Sequence, residues 1–367
     1  MSSYIKNLDE SSRIIIVVGH LKSGGTEKQS VQLVRELGNA GVKAELWALR
    51  PPSQHYRVKG LDQIQIFSYS LFEGGINNRF ISMIKIINRI RNENRNIYIT
   101  QLPDASIAIY LLRCLFARKR VQIIGVRGFI RKKNRAFEYL LRKTYQNATR
   151  LIVNSDHLVE EFSSRFRIPQ QKFTVIYNGI GTEYVKNKKE NDFVSAVVLA
   201  NFHEYKGHSI LLECMSEIDT ELRIILVGNG KNKENCKRYV LEHNLNDRVI
   251  FSDECRDVRN ILTDCQFAIH PSITEGLSNA IMEEMLYGLP VIAFNIGGNP
   301  ILVKDKVSGF LIEPFSKQNL IIAINRLAKD SNLRDRMGFE SRRAIKNFSW
   351  EKNLKAHLEL IREVSNA

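Results

Sequence analysis

The sequence predicts an α/β fold of two domains, each built on a parallel sheet. Three observations carry that reading. The chain has 367 residues, more than one core of ordinary size holds and enough for two. Short apolar, β-branched runs alternate with amphipathic helical stretches along most of its length, the order that sets successive strands parallel. One polar stretch, Gly181–Asp192, interrupts the alternation. It reads as a linker, so that two α/β domains of similar size meet near residue 185.

The elements follow in order. Arg13–Gly19, RIIIVVG, has no polar alternation, the pattern of a strand covered on both faces. Gly24 and Gly25 then break the chain. Val31, Leu33, Val34 and Leu37 recur at helical spacing, and Gly41 follows the end. Lys43–Leu49, KAELWAL, is the next strand and completes a βαβ unit. Further strands are expected at Ile64–Phe67, Asn96–Gln101, Val121–Val126, Arg150–Asn154 and Phe173–Tyr177, with helices between them. Two of those helices, around Phe80–Arg91 and Phe137–Tyr145, interleave apolar residues with Arg and Lys. Beyond the linker, Ser195–Ala200 is a strand and Ile210–Met215 opens a helix. Leu222–Val227 is a strand ending in Gly-Asn-Gly, and Asn235–His243 a helix. Val249–Ser252, Phe267–His270 and Pro290–Phe294 are short strands, with a helix from Asn279 to Tyr287 between the last two.

Composition excludes several classes. Hydrophobic residues make up 44% and charged residues 25%, which rules out a disordered, fibrous or collagen-like chain. No run of roughly eighteen apolar residues exists, and the first residues, MSSYIKNLDESSR, lack the apolar core of a signal peptide. A cytoplasmic protein is expected. Cys114, Cys214, Cys236, Cys255 and Cys265 form no Cys-x-x-Cys pair, and no Cys/His spacing suits zinc, so buried or idle thiols are expected.

Charge says more. The net charge is +15, yet residues 1–190 hold 32 Lys and Arg against 15 Asp and Glu, a net +17, and the remainder carries −2. Such asymmetry fits a nucleic acid, an anionic membrane surface or an acidic substrate as partner of the first half, or a plain solvated basic surface. Tyr and Phe are scattered and no nucleic-acid reading motif is present, so a nucleic acid is not expected.

The chemistry concentrates in Pro271–Gly298, PSITEGLSNAIMEEMLYGLPVIAFNIGG. A strand ends at His270, a loop carries Glu275-Gly276, and a helix begins near Ser278-Asn279. Free backbone N–H groups at a helix start suit a phosphate. Glu275 lies in the loop before the helix and Glu283 about one turn into it. One carboxylate can face a sugar ring while the other faces a ribose diol. Acidic residues early in a helix also favour its dipole without any ligand, so the pair alone decides nothing.

The wider pattern resembles the signature of retaining nucleotide-sugar glycosyltransferases of the GT-B fold, glycosyltransferase family 4. The matching residues are Ser272, Glu275-Gly276, Asn279-Ala280, Glu283, Gly288-Leu289-Pro290-Val291 and Gly297-Gly298, with the family's Glu-x7-Glu spacing. Lys206-Gly207, Val227-Gly228-Asn229-Gly230, Val175–Ile180 and Gly24-Gly25-Thr26-Glu27 resemble the family at their own places along the chain. The resemblance implies two Rossmann-like domains with parallel sheets facing a central cleft. Residues 1–182 would bind acceptor and 183–345 the nucleotide sugar, while 346–367, opened by Phe348-Ser349-Trp350, would cross back to the first domain.

It also implies roles. Lys206 would contact the donor diphosphate, Glu275 would lie near the donor sugar and Glu283 on the ribose. Gly24, Gly25, Asn201, Gly228, Gly230, Gly276, Leu277, Ser278 and Asn279 would complete the donor site. There are departures. Asn201 stands where the family usually has an arginine, Asn299 where an acidic residue is common, and Gly181 where Asp often follows Asn178-Gly179-Ile180. Arg127, in Val126-Arg127-Gly128, replaces a histidine near the reacting sugar. Arg127 can hold a phosphate or a carboxylate but is too basic to serve as general base, so it joins Glu275 and Lys206 as a charge-bearing catalytic residue and no base is assigned.

The expected activity is transfer of a hexose or N-acetylhexosamine from a nucleoside diphosphate sugar, UDP first, to an acceptor hydroxyl with retention. The acceptor would be a lipid-linked or surface-polysaccharide glycan. No cofactor or obligatory metal is implied, and no Asp-x-Asp motif is present. A nucleotide-sugar epimerase or a non-catalytic nucleotide-sugar binder on the same fold is the alternative. The basic first half would then meet the inner face of a membrane through Arg79–Arg95, Arg118–Arg120 and Arg131–Lys143. Phe80, Ile81, Ile84 and Ile87 would either dip into lipid or pack against the sheet.

Overall fold

A computed structural model describes residues 13–21, 24–52, 64–71, 76–92, 96–115, 121–128, 134–181, 193–253 and 258–366. Two compact units emerge, Met1–Gly179 with Trp350–Ala367, and Ile180–Ser349.

The first unit holds a seven-stranded parallel sheet of order β3-β2-β1-β4-β5-β6-β7. Its strands are β1 (Ile14–Val18), β2 (Ala44–Ala48), β3 (Ile66–Ser68), β4 (Ile97–Gln101), β5 (Gln122–Val126), β6 (Arg150–Val153) and β7 (Phe173–Val175). Its helices are α1 (Gly25–Asn39), α2 (Ile76–Asn92), α3 (Pro103–Leu115), α4 (Arg135–Gln146) and α5 (His157–Phe166). β1 explains its own sequence. Ile14, Ile16 and Val18 feed the core under α1, while Ile15 and Val17 feed the core under α2 and α3. Both faces are covered, so no polar alternation survives. Glu45, buried in β2, accepts from Arg13 at 2.8 Å, Arg89 at 2.8 Å and Trp47 Nε1 at 3.1 Å. Two guanidinium groups and an indole thus hold its charge in the interior.

The second unit holds a six-stranded parallel sheet of order β10-β9-β8-β11-β12-β13. Its strands are β8 (Val194–Leu199), β9 (Leu222–Val227), β10 (Val249–Ser252), β11 (Phe267–His270), β12 (Val291–Phe294) and β13 (Gly309–Ile312). Between them run α6 (His208–Cys214), α7 (Lys233–Glu242), α8 (Arg259–Asp264), α9 (Asn279–Leu286) and α10 (Asn299–Leu302), with α11 (Lys317–Lys329) and α12 (Ser331–Ile345) after the last strand. β13 goes beyond the strands expected from sequence. It lies at the sheet edge and opens on Gly309 after a charged turn, which leaves only Phe310, Leu311 and Ile312 as an apolar run.

The closing helix α13 (Trp350–Ser365) packs in the first unit, with Leu354, Leu358 and Ile361 in the core under α1. The division falls at Gly179 and at Trp350, three to four residues from the boundaries expected at 182 and 346. The physical reason is local. Ile180 N–H donates to Phe348 O at 2.9 Å, which keeps both in the second unit. In the first unit, Asn353 Nδ2 donates to Tyr177 O at 2.6 Å and the Trp350 ring covers Gly179, where a Cβ would come within 2.5 Å. The linker stretch from residue 182 to 192, the basic segments 118–120 and 131–133, and Cys255 lie outside the described residues.

Candidate active site

In open parallel sheets, ligands bind beyond the carboxyl ends of the strands where strand order reverses. In the second unit that point is between β8 and β11. Ten of the residues expected from sequence converge there: Asn201, Lys206, Gly228, Gly230, Glu275, Gly276, Leu277, Ser278, Asn279 and Glu283.

The loop after β8 presents Asn201 to solvent, buries Phe202 and turns through Glu204–Lys206 into α6. Gly207 joins turn and helix at φ +72°, and a Cβ there would lie 1.9 Å from Pro271 O. Only glycine lets this loop rest on the backbone leaving β11. Ile273 N–H donates to Tyr205 O at 2.8 Å and completes the seam. Across it, Lys206 Nζ donates to Glu275 Oε1 at 2.5 Å, both side chains mostly shielded from solvent. The two groups read from sequence as diphosphate and sugar contacts are therefore each other's partner.

The Gly228-Asn229-Gly230 turn follows β9. Cβ atoms at Gly228 and Gly230 would meet Ala200 O at 2.2 Å and Phe202 O at 2.5 Å. Their glycine identity is set by packing on the β8 loop, a cause that the sequence pattern did not reveal. Lys233, which sequence reasoning missed, clamps this turn. It is buried at the start of α7 and donates to Gly228 O at 2.9 Å and Asp253 Oδ1 at 2.6 Å.

From β11 the chain runs through Pro271–Leu277 into α9. Ser278 caps that helix, its hydroxyl accepting from Ile281 N–H at 3.4 Å. Gly276 O accepts from Gly298 N–H at 3.0 Å, which pins the loop to the turn after β12. Leu277 is buried and Asn279 half-buried, and Glu283 is half-buried one turn along α9. Its neighbour Glu284 is fully buried and accepts from His270 Nε2 at 3.2 Å. Burial raises the pKa of that carboxyl. This link ties α9 to the end of β11, and nothing in the sequence signature pointed to it. Asn299, where the family signature is acidic, is also buried and donates to Phe294 O at 3.0 Å.

Gly24, Gly25 and Arg127 belong to the first unit. Gly24 caps α1, and the buried Glu27 carboxylate lies over it, 2.8 Å from His20 Nδ1. Arg127 is half-buried after β5 and donates to Gln101 Oε1 at 3.0 Å and Asn178 Oδ1 at 2.5 Å. Desolvation lowers its pKa to about 10, so it stays charged at neutral pH.

Comparisons with known proteins agree with this layout. Residues 23–184 match the model of Glycosyltransferase Family 4, and residues 182–344 match that of Glycosyl transferases group 1. An uncharacterized glycosyltransferase of Methanocaldococcus jannaschii is 27% identical over 265 residues, 72% of this chain and 74% of that protein. The UDP-Gal:alpha-D-GlcNAc-diphosphoundecaprenol alpha-1,3-galactosyltransferase of Escherichia coli is 29% identical over 203 residues, 50% of this chain and 52% of that protein. The crystal structure of Anabaena Alr3699/HepE in complex with UDP-glucose has a TM-score of 0.82 over 96% of this chain and 99% of that one, at 18% identity, a likeness of fold. With both halves matched and the GT-B architecture in place, the chain belongs to the family 4 (group 1) glycosyltransferases and is a transferase enzyme.

Proposed function

We propose that the chain transfers a hexose or N-acetylhexosamine from a UDP-sugar to a hydroxyl of a lipid-linked glycan, with retention at the anomeric carbon. The observation that carries this reading is the Lys206–Glu275 pair at the start of α9, at the β8/β11 switch point. A diphosphate entering there competes with Glu275 for the ammonium. Lys206 then neutralises the charge that grows on the leaving diphosphate, and the N–H groups of Asn279 and Ala280 add their dipoles. Glu275, released, faces the donor sugar, and Glu283 holds the ribose diol. The sugar–phosphate bond breaks as the acceptor oxygen bonds to the same face of the anomeric carbon. The acceptor proton passes to a diphosphate oxygen, which balances charge without a protein base. The lipid-linked acceptor rests on similarity to the Escherichia coli galactosyltransferase named above.

The test is a thermal-shift panel with UDP, GDP, ADP and CDP on wild type and Glu283→Ala. A shift with UDP alone that the variant loses is the expected result. A shift with a different nucleotide reassigns the donor. No shift with any nucleotide, in a folded sample, overturns the reading.

A further inference from the structure

In the first unit the strand order reverses between β1 and β4, so the carboxyl ends of those strands are where an open parallel sheet takes a ligand. His20, Glu27, Arg50 and Asp104 gather there, and the donor chemistry uses none of them. His20 follows β1 by two residues, and its side chain is 30% exposed. Its Nδ1 is buried and lies 2.8 Å from Oε1 of Glu27, a buried carboxylate in the first turn of α1. The other oxygen of Glu27 occupies the space that a Cβ of Gly24 would fill, so the glycine admits the carboxylate to the ring. Arg50 and Asp104 stand against the residue before His20. A Cβ at Gly19 would lie 3.5 Å from Arg50 Nη1 and 3.7 Å from Asp104 Cβ. Arg50 donates to Gly19 O at 3.4 Å and to Asp104 Oδ2 at 3.0 Å. Leu102, between β4 and Asp104, is held at φ +72°, a strain that a bulky side chain rarely accepts and that collects at ligand sites.

We propose that His20 binds a hydroxyl of a neutral acceptor sugar through Nε2, and that Glu27 is the positioning residue that fixes the ring's tautomer for it. A carboxylate offers only lone pairs, so the proton of the neutral imidazole sits on Nδ1, against Glu27. Nε2 is left as a lone pair on the accessible side of the ring, without a partner among the described residues. It accepts and does not donate. Asp104 adds a second acceptor in Oδ1, while the donors of Arg50 are already engaged by Gly19 O and Asp104. Two neighbouring acceptors call for a ligand rich in donors. Sugar hydroxyls are such donors, whereas a phosphate or a uronate carboxylate brings only further lone pairs and negative charge. His20 takes no proton in the reaction, since the acceptor proton still passes to the donor diphosphate. The inference deepens the transfer reading and rests on it for the sugar's role as acceptor, although not for the tautomer.

The experiment begins with proton–nitrogen correlation spectra of the His20 imidazole in the full chain, assigned by comparison with His20→Gln. The neutral ring should carry its proton on Nδ1 in wild type. In Glu27→Gln, whose amide can donate to Nδ1, it should shift toward the Nε2–H form. The ring signals are then titrated with octyl galactoside, octyl N-acetylglucosaminide and octyl glucuronide as probes. A neutral glycoside should move the Nε2 signal and the glucuronide should not. In transfer to that glycoside, His20→Ala should raise its KM about tenfold, the scale of one hydrogen bond, with the UDP-induced thermal shift kept. His20→Gln, whose Oε1 can accept in place of Nε2, should recover part of the loss. An Nε2–H tautomer in wild type, a response to the glucuronide alone or to no glycoside, or a wild-type KM in His20→Ala overturns the proposal. So does a folded Glu27→Gln with the wild-type tautomer, since the carboxylate would then serve only the start of α1. His20 is half-buried, so its two variants keep the test open even where Glu27→Gln does not fold. Tautomer and titration need no donor: a missing UDP shift in wild type removes the function reading, and these two results still decide the site.

Discussion

A single ammonium decides much of the donor chemistry. In the unliganded chain Lys206 is held by Glu275 at 2.5 Å, so a diphosphate must displace a carboxylate to reach it. This gives the two partners opposite signatures. Lys206→Ala removes the charge opposite the leaving group, and kcat should fall about 100-fold or more, the usual scale for one electrostatic donor. UDP affinity should fall as well. Glu275→Gln keeps the shape but removes the competitor, so UDP alone should bind as tightly as in wild type or tighter, while sugar transfer is lost. Calorimetry with UDP and a transfer assay separate the two. A Lys206→Ala protein with wild-type turnover sinks this assignment. Asn201, in the place of the family's usual arginine, is exposed and supplies no charge, which leaves Lys206 as the cation of the β8 loop nearest Glu275.

Among the elements, α9 carries the site and is itself held by a buried link. Glu284 and His270 lie 14 residues apart, and their contact at 3.2 Å closes the loop that bears Glu275 and Ser278. Removing one partner of such a pair leaves the other polar and unpaired in the interior. Glu284→Ala should therefore cost about 3 kcal/mol in denaturant unfolding, and Glu284→Gln, which can still accept from His270, about 1 kcal/mol. Donor KM should rise more than kcat falls in both. Wild-type stability in both variants would show that the link does nothing. The sequence made the strands legible because a both-faces-buried run has few alternatives, and it made the Glu-x7-Glu spacing legible because both residues belong to one loop and helix. Glu284 was not legible, since a second acid beside Glu283 looks like a solvated face until His270 is seen beneath it. Gly207, Gly228 and Gly230 matched a pattern for a reason that only packing reveals: backbone from another loop lies where a Cβ would be. On α2 the inward residues were inseparable from the outward ones, because apolar residues occupy both sides of that helix.

The response of the whole molecule to acid can be argued from one buried histidine in each unit. His208 stacks on Phe202 at 4.3 Å between ring centres in the second unit, and His357 Nδ1–H donates to Asn353 O at 2.9 Å in the first. Both are 1% exposed. Burial lowers each pKa to about 4, with His270 and Lys206 nearby for the first and Arg127 for the second adding to the effect. A free histidine titrates near 6.5. Between pH 6.5 and 4 the unfolded chain therefore binds protons that the native chain refuses. The stability these rings confer is full above about pH 6.5 and is lost as pH falls through that window. Each costs the fold on the order of 3 kcal/mol by the time pH reaches 4, at about 1.4 kcal/mol per pK unit. Glu284 runs the other way: its raised pKa stabilises the fold below the ordinary glutamate range, and that contribution declines as pH rises. Denaturant unfolding at half-unit steps from pH 7.5 to 4.5 should show stability falling steeply below 6.5. His357→Gln should flatten the fall for the first unit and His208→Gln for the second, each by up to one proton in the slope. Unchanged slopes in both variants would mean that neither ring is kept neutral by its burial, and the acid limb would then belong to the carboxylates instead.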